Sequence, residues 1–354
     1  MASYPFPHDH AYARNQWYIA AWAAEVGTEP MARTILDQEI VFWRTADGEI
    51  SALAGLCPHR WAPMATGKVL GDTLQCPYHG AEFDRSGGCV RVPGMDRPPP
   101  SLTLQRFPVV ELGPCIWIWP GDEEACDVEL LPDATSVGLG GDGWRVDAAG
   151  PLTIQARPQL LIENLFDQSH LGTVHPSTLT VDGVHIIPTY VEHAVTDARF
   201  SVVRELPVSP ADDGARAVFP DLDEYMNARL FNELLGVALI VSIGSHSYAV
   251  EADGGSPRLV GRMNFLHGVT PCTAHSTHYF GALTRDFAQD NDDLTTMLME
   301  RNVQVMLEDV KVLEAIEPGL DLHADPRREV HFGTDAAAMQ VRQRMTRVIG
   351  AELG

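Results

Sequence analysis

Two short loops, each carrying one cysteine and one histidine, constrain this chain more than any other feature of its sequence. Cys57 and His59 are separated by one residue, and Cys76 and His79 by two. Each loop contains a proline, and both lie among short β-rich runs broken by Gly, Pro and Asp. A fold that brings the loops together collects two thiolates and two imidazoles, which is the donor set of a metal site.

Two kinds of metal site use two cysteines and two histidines. A structural zinc site usually pairs cysteine with cysteine and histidine with histidine along the chain. Here each loop mixes the two types, which favours a binuclear iron–sulfur cluster with cysteines on one iron and histidines on the other, and zinc is the alternative. The remaining cysteines show no ligand spacing and are interpreted as plain core or surface residues: Cys89, Cys115, Cys126 and Cys272.

Composition narrows the class of protein. The chain of 354 residues is long enough for two domains, and 48 acidic against 25 basic residues give a net charge of −23. Such a charge repels phosphate backbones and anionic membranes, so neither nucleic acid nor a membrane is an expected partner. Six cysteines are too few for a disulfide scaffold. The sequence shows no signal peptide and no apolar run of about 18 residues, so we expect a cytoplasmic protein.

The sequence predicts two domains. From residue 17 to about 120 short strands alternate with turns, so this part is predicted to be a small all-β domain. Acid- and Gly-rich sequence over 121–143 lacks periodicity and is the predicted linker region. We place the first domain at 1–125 and the second at 126–354.

The second domain is predicted to combine an antiparallel sheet with flanking helices in a helix-grip-like arrangement, which makes the whole chain α+β. A helix is indicated over 158–176, and strands over roughly 184–287. A long helix over 291–317 is predicted to end at Pro318-Gly319. An amphipathic helix over 335–352 is predicted to close the domain.

The first of these helices carries a second group of residue types that bind metals. On an ideal helix Asn164, Asp167 and His170 step by three residues and share one face. His175 lies about 140° from His170 on that projection, so both rings reach one metal only if the helix deforms between them. Gly172, together with the backbone bias of a residue that precedes proline, is predicted to provide the break.

A facial triad for non-haem Fe(II) needs two histidines and one carboxylate, so the third ligand must come from elsewhere in the chain. We assign it to Asp309, because an isolated carboxylate within an apolar stripe of the long helix is costly unless it is paired or bound to metal. Glu308 points about 100° away and is expected to face solvent or a neighbour; it is the alternative ligand. The predicted stripe consists of Leu294, Leu298, Val305, Asp309, Val312 and Ile316.

The stretch CPHRWAPMATGKVLGDTLQCPYHGAEFDRSGGCVRVP resembles the Rieske [2Fe–2S] motif of the Rieske non-haem iron oxygenases. It is most similar to the aromatic O-demethylase branch, which includes vanillate and dicamba demethylases, and the resemblance covers nearly the whole chain. It implies that Cys57 and Cys76 bind one iron of the cluster and that His59 and His79 bind the other. Histidine ligation raises the reduction potential relative to an all-cysteine cluster.

The resemblance also implies roles in the second domain. LEDVKVLEAIE, around Asp309, is similar to the helix that provides the family's third iron ligand. In the family, an aspartate at the position of Asp167 links the mononuclear-iron histidine, here His170, to a Rieske histidine of a neighbouring subunit in a homotrimer. Asp167 and Asn164, which shares its helix face, are the expected catalytic residues. His267 lies in a strand similar to the family's pocket wall and is the expected substrate-binding residue.

The family implies an activity. The expected function is that of the oxygenase component of a Rieske-type non-haem iron monooxygenase, which uses O2 and supplied electrons for oxidative O-demethylation of a methoxylated aromatic acid. The sequence shows no nicotinamide- or flavin-binding motif, so a separate ferredoxin or reductase is the expected electron donor. Ring hydroxylation or N-demethylation by the same machinery is the alternative among enzymes. Outside that class, the alternatives are a Rieske electron carrier and a zinc-stabilised binding protein.

Overall fold

The structure is a computed structural model, and it describes residues 4–6, 11–179, 190–196, 199–219, 221–236, 240–251, 256–323 and 329–353. The chain divides into two compact units. The first unit contains Arg14–Glu129 and Thr270–Ala274. The second unit contains Met1–Ala13, Leu130–Val269 and His275–Gly354.

The first unit is built from short antiparallel strands, which confirms the prediction of an all-β domain. Its strands are β1 (Tyr18–Trp22), β2 (Met31–Ile35), β3 (Gln38–Arg44), β4 (Ile50–Ala54), β5 (Lys68–Leu70), β6 (Thr73–Gln75), β7 (Glu82–Phe83), β8 (Cys89–Arg91), β9 (Val109–Leu112) and β10 (Cys115–Ile118). Among the described residues they form three sheets, in the orders β1-β10-β9, β2-β3-β4 and β5-β6-β7-β8.

The two cysteines of the metal-binding loops belong to the core of the first unit. Cys57 and Cys76 pack with buried apolar side chains of neighbouring strands, among them Trp43, Leu74 and Phe83. Burial of this cluster stabilises the loops that carry the cysteines, because each apolar side chain removed from water contributes about 1.5–3 kcal/mol. The sheet core therefore supports the loops that carry the cysteines.

The second unit is α+β, as the sequence predicts. Its strands are β11 (Arg145–Ile154), β12 (Tyr190–Thr196), β13 (Arg199–Glu205), β14 (Ser209–Pro210), β15 (Tyr225–Leu235), β16 (Ile240–Val250), β17 (Arg258–Thr273) and β18 (Ser276–Arg285). Its helices are α1 (Pro158–Phe166), α2 (Leu171–Val174), α3 (Asp213–Val218), α4 (Asp292–His323) and α5 (Ala336–Glu352). The sheet has the order β11-β18-β17-β16-β15-β13-β12, with β14 paired to β15, and its assigned pairs are antiparallel.

Helices α1, α4 and α5 pack on this sheet through a shared apolar core. The core joins Leu161 of α1, Met306 of α4 and Val341 of α5 to Val241 and Tyr279 of the sheet. Because α1 and α4 share this core, residues on them are held at fixed positions relative to β16 and β18. Among the described residues, no helix is both long enough and apolar enough to span a membrane.

Two predicted helix boundaries are wrong. The helix expected over 158–176 ends at Phe166, because Asp167 leaves the helical backbone and its Oδ1 accepts hydrogen bonds from both the N–H and the hydroxyl of Ser169. The long helix α4 continues past Pro318 to His323. Glu317, directly before that proline, is held by a buried ion pair of 2.7 Å with Arg157, which anchors this turn. Residues 184–189 of the predicted strand region lie outside the described residues.

Candidate functional site

The two Cys/His loops of the first unit have the same backbone hydrogen-bond pattern. In each loop the cysteine N–H donates to the carbonyl five residues on, at 2.9 Å for Cys57 and 2.7 Å for Cys76. The residue four positions on donates back to the cysteine carbonyl, at 2.8 Å for Trp61 and 3.2 Å for Gly80. Both of these residues have positive φ, 58° and 72°. The loops therefore present cysteine and histidine through one repeated turn, although their Cys–His spacings differ by one residue.

This turn places the thiols inside the unit and the imidazoles at its surface. Cys57 and Cys76 are 2% and 3% exposed, whereas His59 and His79 are exposed and their ring centroids lie 4.7 Å apart. Burial, and then the adjacent Cys76 thiol, raise the pKa of Cys57. Two thiols crowded together in this way fit a shared cation, which favours the thiolate form. The donor set thus fits a binuclear cluster in which Cys57 and Cys76 would hold one iron and His59 and His79 the other.

The second site is formed by His170, His175 and Asp309, whose ligand atoms all lie within 4.8 Å of one another. The two histidines flank the single helical turn of α2, one as its N-cap and the other as its C-cap. Asp309 comes from α4, and its Oδ1 lies 3.3 Å from Nε2 of His170 and 3.1 Å from Nε2 of His175. The fold therefore brings together the three residues that the sequence nominated as iron ligands.

The expected helix break at Gly172 is wrong. Gly172 lies inside α2, and the chain instead leaves the helix at Asp167, three residues before His170. The helical turn does end at His175, the residue before proline, where the backbone changes to φ −117° and ψ 46°. A break ahead of His170, rather than between the histidines, lets a short turn carry one ring at each end.

The predicted apolar stripe of α4 is wrong at two positions. Val312 and Ile316 are 37% and 41% exposed, whereas Leu313 is buried and Asp309 is only 4% exposed. The buried positions of α4 advance by four residues, with one step of three, so the packed face follows a different line from the predicted one. The positions on this line are Leu294, Leu298, Asn302, Met306, Asp309, Leu313 and Glu317, and Thr295 is buried beside Leu294.

The surroundings of His175 indicate that the second site fits a cation. Its Nδ1 lies 2.8 Å from Oε2 of Glu308, and because a carboxylate only accepts, Nδ1 carries a proton and Nε2 is the nitrogen turned toward the other ligand candidates. This Nε2 is buried and makes no hydrogen bond within the described residues, although Asp309 Oδ1 is 3.1 Å away. A cation bound between this nitrogen and the Asp309 carboxylate would give a buried polar atom the partner that it otherwise lacks. The donor set suits non-haem iron.

Sequence reasoning missed the role of Glu308, which it expected to face solvent or a neighbour. Besides His175, Glu308 accepts a 2.6 Å hydrogen bond from the hydroxyl of Thr178. These hydrogen bonds, with the one from Thr178 the stronger influence, hold the pKa of Glu308 below its ordinary value. The signal available in the sequence was that Glu308 directly precedes Asp309, a ligand candidate. Metal-binding histidines commonly donate a hydrogen bond to a second carboxylate nearby.

The two expected catalytic residues lie at different distances from the three ligand candidates. Asn164 Nδ2 donates to Asp309 Oδ1 at 3.2 Å and lies 3.4 Å from Nε2 of His170. The carboxylate of Asp167 makes no hydrogen bond to the ligand candidates within the described residues, and Ser169 occupies its Oδ1. Asn164 is thus placed to orient Asp309, whereas Asp167 is half-buried beside the site.

A cavity of about 510 Å³ opens on the same three residues. Helices α1 to α4 and strands β15 to β17 contribute to its walls, which are mostly apolar. The apolar lining residues are Leu165, Leu171, Leu179, Ala215, Val218, Phe219, Leu230, Ile243, Met263, Phe265, Leu298 and Val305. A cavity of this size and character accepts a small aromatic molecule.

His267 is the expected substrate-binding residue, and it lines this cavity. Its Nδ1 lies 2.6 Å from the hydroxyl of Tyr279, and complete burial lowers its pKa to about 4. His267 is therefore neutral at neutral pH. Tyr279 was not singled out from the sequence, although two residues on adjacent antiparallel strands twelve positions apart can face each other across the hairpin.

A cluster-type Cys/His site and a His-His-Asp site beneath an apolar cavity define a class of iron-dependent oxygenase. Comparison with protein families gives the same class. Residues 16–108 match the Rieske [2Fe-2S] domain, and residues 154–351 match the vanillate O-demethylase oxygenase C-terminal domain. The chain belongs to the vanillate O-demethylase oxygenase family of Rieske non-haem iron oxygenases.

Two related proteins and a solved structure match over almost their whole length. The oxygenase component of dicamba O-demethylase from Stenotrophomonas maltophilia is 32% identical, over 93% of this chain and 96% of its own. The iron–sulfur subunit of the toluene-4-sulfonate monooxygenase system of Comamonas testosteroni is 30% identical, over 97% of this chain and 99% of its own. A crystal structure of dicamba monooxygenase with non-haem iron and dicamba has a TM-score of 0.82 at 28% identity, covering 97% of this chain and 99% of that one.

These matches establish the class of activity and the cofactors. The protein is an oxidoreductase, the oxygenase component of a Rieske monooxygenase system. Its cofactors are a Rieske [2Fe–2S] cluster and a mononuclear non-haem iron.

Proposed function

We propose that this oxygenase component removes the methyl group of a methoxylated aromatic acid by oxidation. The net reaction converts R–O–CH3, O2, two electrons and two protons into R–OH, formaldehyde and water. The observation that carries the proposal is the apolar cavity, which is large enough for one aromatic ring and opens on His170, His175 and Asp309. The names of the related proteins state O-demethylation of dicamba and oxygenation of toluene-4-sulfonate, an aromatic anion.

In this proposal His170, His175 and Asp309 hold the mononuclear iron. Cys57 and Cys76 hold one iron of the cluster, and His59 and His79 hold the other. When bound, the mononuclear iron supplies oxygen activation and the cluster supplies electrons one at a time. The support is the buried, unpartnered Nε2 of His175 in one site and the buried thiols with exposed imidazoles in the other.

The residues around the iron ligands position them and the substrate. Glu308 fixes the proton of His175 on Nδ1, and Asn164 donates to Asp309. Nδ1 of His267 lies 2.6 Å from the hydroxyl of Tyr279. With that hydroxyl as the donor, the remaining N–H of this neutral ring serves as a donor to a polar group of the substrate. The apolar walls exclude water from the reacting methyl group, which strengthens these polar interactions.

Asp167 links the two metal sites across subunits of a homotrimer in this proposal, from His170 of one subunit to His79 of the partner subunit. The support is that Ser169 occupies only Oδ1 of Asp167, and no hydrogen bond to its Oδ2 occurs within the described residues. The exposure of His79 allows a partner to reach it.

A separate ferredoxin or reductase supplies the electrons in this proposal, and the protein works in the cytoplasm. The first point is supported by family membership as an oxygenase component. The second is supported by the six cysteines, which are all unpaired in the structure, as expected where thiols stay reduced.

Formaldehyde release tests the proposed function. Purified protein with a surrogate reductase is assayed against a panel of methoxybenzoates, with Asp309→Ala as the inactive control. Formaldehyde in equimolar amount with the phenol supports O-demethylation, whereas a hydroxylated ring without formaldehyde identifies ring hydroxylation. Formaldehyde released only from N-methyl compounds identifies N-demethylation. Metal analysis separates the other classes, since the oxygenase carries three irons per chain, a Rieske carrier two, and a zinc-stabilised binding protein zinc.

A further inference from the structure

The cavity contains a positive charge that the proposed function does not use. Arg301 of α4 is the only lysine or arginine among the described residues that line the cavity. Its Nε donates a 2.8 Å hydrogen bond to the carbonyl of Thr178, which fixes the guanidinium group. Its terminal nitrogens make neither a hydrogen bond nor an ion pair within the part of the chain that the structure describes. Arg157 and Arg342, by contrast, each form an ion pair with a buried or partly buried glutamate.

Arg301 is also separated from the iron-binding end of the cavity. It precedes Asp309 by eight residues on the same helix, which corresponds to about 12 Å along the helix axis. Asn302 and Val305 line the cavity between them. An aromatic ring lying along α4 therefore places one end beside Asp309 and the opposite end toward Arg301.

The other charged residues that line the cavity are acidic, so an anionic substrate depends on this arginine for attraction. The lining includes three aspartates, Asp167, Asp212 and Asp309. His267 is neutral at neutral pH and offers a hydrogen bond but no positive charge. Without Arg301 no protein cation of the described lining would offset these carboxylates. Arg301 is itself exposed, so it lies at the open end of the cavity. A carboxylate directed toward that end meets a counter-charge there, whereas an unpaired carboxylate among the apolar walls would be costly.

We propose that Arg301 binds the anionic group of the substrate and so selects aromatic acids whose carboxylate lies across the ring from the reacting methoxy group. A guanidinium group pairs with a carboxylate through two parallel N–H donors, which gives both affinity and orientation. An acid with the two groups on adjacent ring carbons keeps its carboxylate near Asp309 and away from Arg301. This inference rests on the proposed function and assigns it a substrate geometry.

Binding to the iron-loaded protein, without electron donor, tests the inference separately from turnover. The probes are 4-methoxybenzoate, its uncharged analogue 4-methoxybenzamide and 2-methoxybenzoate, measured by calorimetry. Arg301→Gln is expected to weaken the binding of 4-methoxybenzoate about tenfold or more, because a charge-assisted hydrogen bond is lost. Binding of 4-methoxybenzamide and 2-methoxybenzoate is expected to change little. Arg301→Lys is expected to recover part of the lost affinity for 4-methoxybenzoate. Arg258 is an exposed arginine outside the cavity, and Arg258→Gln is expected to leave the binding of all three compounds unchanged.

The outcomes separate this inference from the proposed function. The role of Arg301 is overturned if Arg301→Gln weakens binding of the acid and the amide equally, or if it leaves the affinity for 4-methoxybenzoate unchanged. Either result holds even if formaldehyde is released. Wild-type protein that binds 2-methoxybenzoate more tightly than 4-methoxybenzoate overturns the substrate geometry. Arg301-dependent binding of 4-methoxybenzoate without formaldehyde release supports the role of Arg301 and contradicts the demethylase proposal alone. Retained binding of the amide shows that the variant is folded.

Discussion

Glu308 and His175 are joined by a 2.8 Å hydrogen bond between Oε2 and Nδ1, which decides which nitrogen of the ring faces Asp309. Two consecutive residues of α4 thus act on opposite nitrogens of one imidazole. Glu308 accepts a hydrogen bond from Nδ1, and Oδ1 of Asp309 lies 3.1 Å from Nε2. The sequence left either acidic residue open as a ligand, and this geometry favours Asp309 as the ligand and Glu308 as the residue that orients His175.

Replacement of Asp309 tests the ligand assignment. Asp309→Ala is expected to lose the mononuclear iron and all turnover, because it removes the only carboxylate among the three convergent groups. The Rieske spectrum is expected to persist, since the Cys/His loops belong to the other unit. Iron content and the visible spectrum of the purified variant give the measurement. An Asp309→Ala protein that keeps its third iron, while Glu308→Ala loses it, would show that the assignment is off by one residue.

Glu308→Gln tests the orienting role. Glutamine can still accept from Nδ1 of His175 but carries no charge, so His175 becomes a weaker ligand. We expect iron affinity about 10- to 100-fold lower, the usual effect of losing a partner of a ligating histidine. Competition with a chelator measures the affinity. Gln304→Ala is the matched control, because Gln304 contacts Glu308 at 3.2 Å but not His175. An affinity equal to that of the wild type contradicts this role.

The histidines of the first unit are tested by spectroscopy. His59→Cys and His79→Cys are each expected to abolish or alter the EPR signal of the reduced cluster, because a histidine-bound iron becomes cysteine-bound and its potential falls. Cys89→Ser is the control, since Cys89 lies on β8. No cysteine or histidine follows Cys89 at the spacing of the metal-binding loops. Colourless wild-type protein with stoichiometric zinc would contradict the cluster assignment.

Much of the site was accessible from sequence because metal chemistry restricts residue types. Two loops that each pair a cysteine with a histidine have few interpretations, and the family comparison confirms the Rieske domain. The three mononuclear-site candidates were chosen by type and helix position, and the structure places their ligand atoms within 4.8 Å. Their role as ligands stays a prediction.

Features that depend on side-chain competition could not be predicted in the same way. Helical periodicity continues through Asp167, but hydrogen bonds to Ser169 end the helix there. The contact between Glu308 and His175 depends on how α4 rotates on the core, and the predicted stripe misplaced that face at Val312. The sequence predicts which residues share one face of a helix. Tertiary contacts decide how the helix is rotated, and therefore which face packs against the core.

Asp167→Asn tests the electron path. Asparagine preserves the oxygen that accepts from Ser169, so the turn after α1 and both metal centres are expected to persist. Loss of the carboxylate charge is expected to slow electron transfer from the cluster to the mononuclear iron by tenfold or more, on the order of one lost charge-assisted hydrogen bond. Single-turnover kinetics of the pre-reduced enzyme give the rate. Ser169→Ala is the control for a purely structural effect, and an unchanged rate in Asp167→Asn contradicts the proposed path.

His267 makes the stability of the protein depend on pH. Complete burial lowers its pKa to about 4, whereas an unfolded histidine has a pKa of about 6.5. Between these values the unfolded chain binds a proton that the folded chain does not, so the free energy of unfolding falls as the pH drops from about 6.5 to about 4. The loss amounts to about 3 kcal/mol at the acidic end of this window.

His267→Gln is therefore expected to flatten the pH dependence of stability without removing it, because other groups titrate in both proteins. Urea unfolding from pH 7.5 to 4.5 gives the measurement, and the free energy of the variant should decline less steeply below pH 6.5. His331→Gln, at an exposed position, is the control and is expected to follow the wild-type curve. If wild type and His267→Gln decline in parallel, His267 does not remain neutral in the folded protein, and its proposed role as a neutral hydrogen-bond donor to the substrate fails.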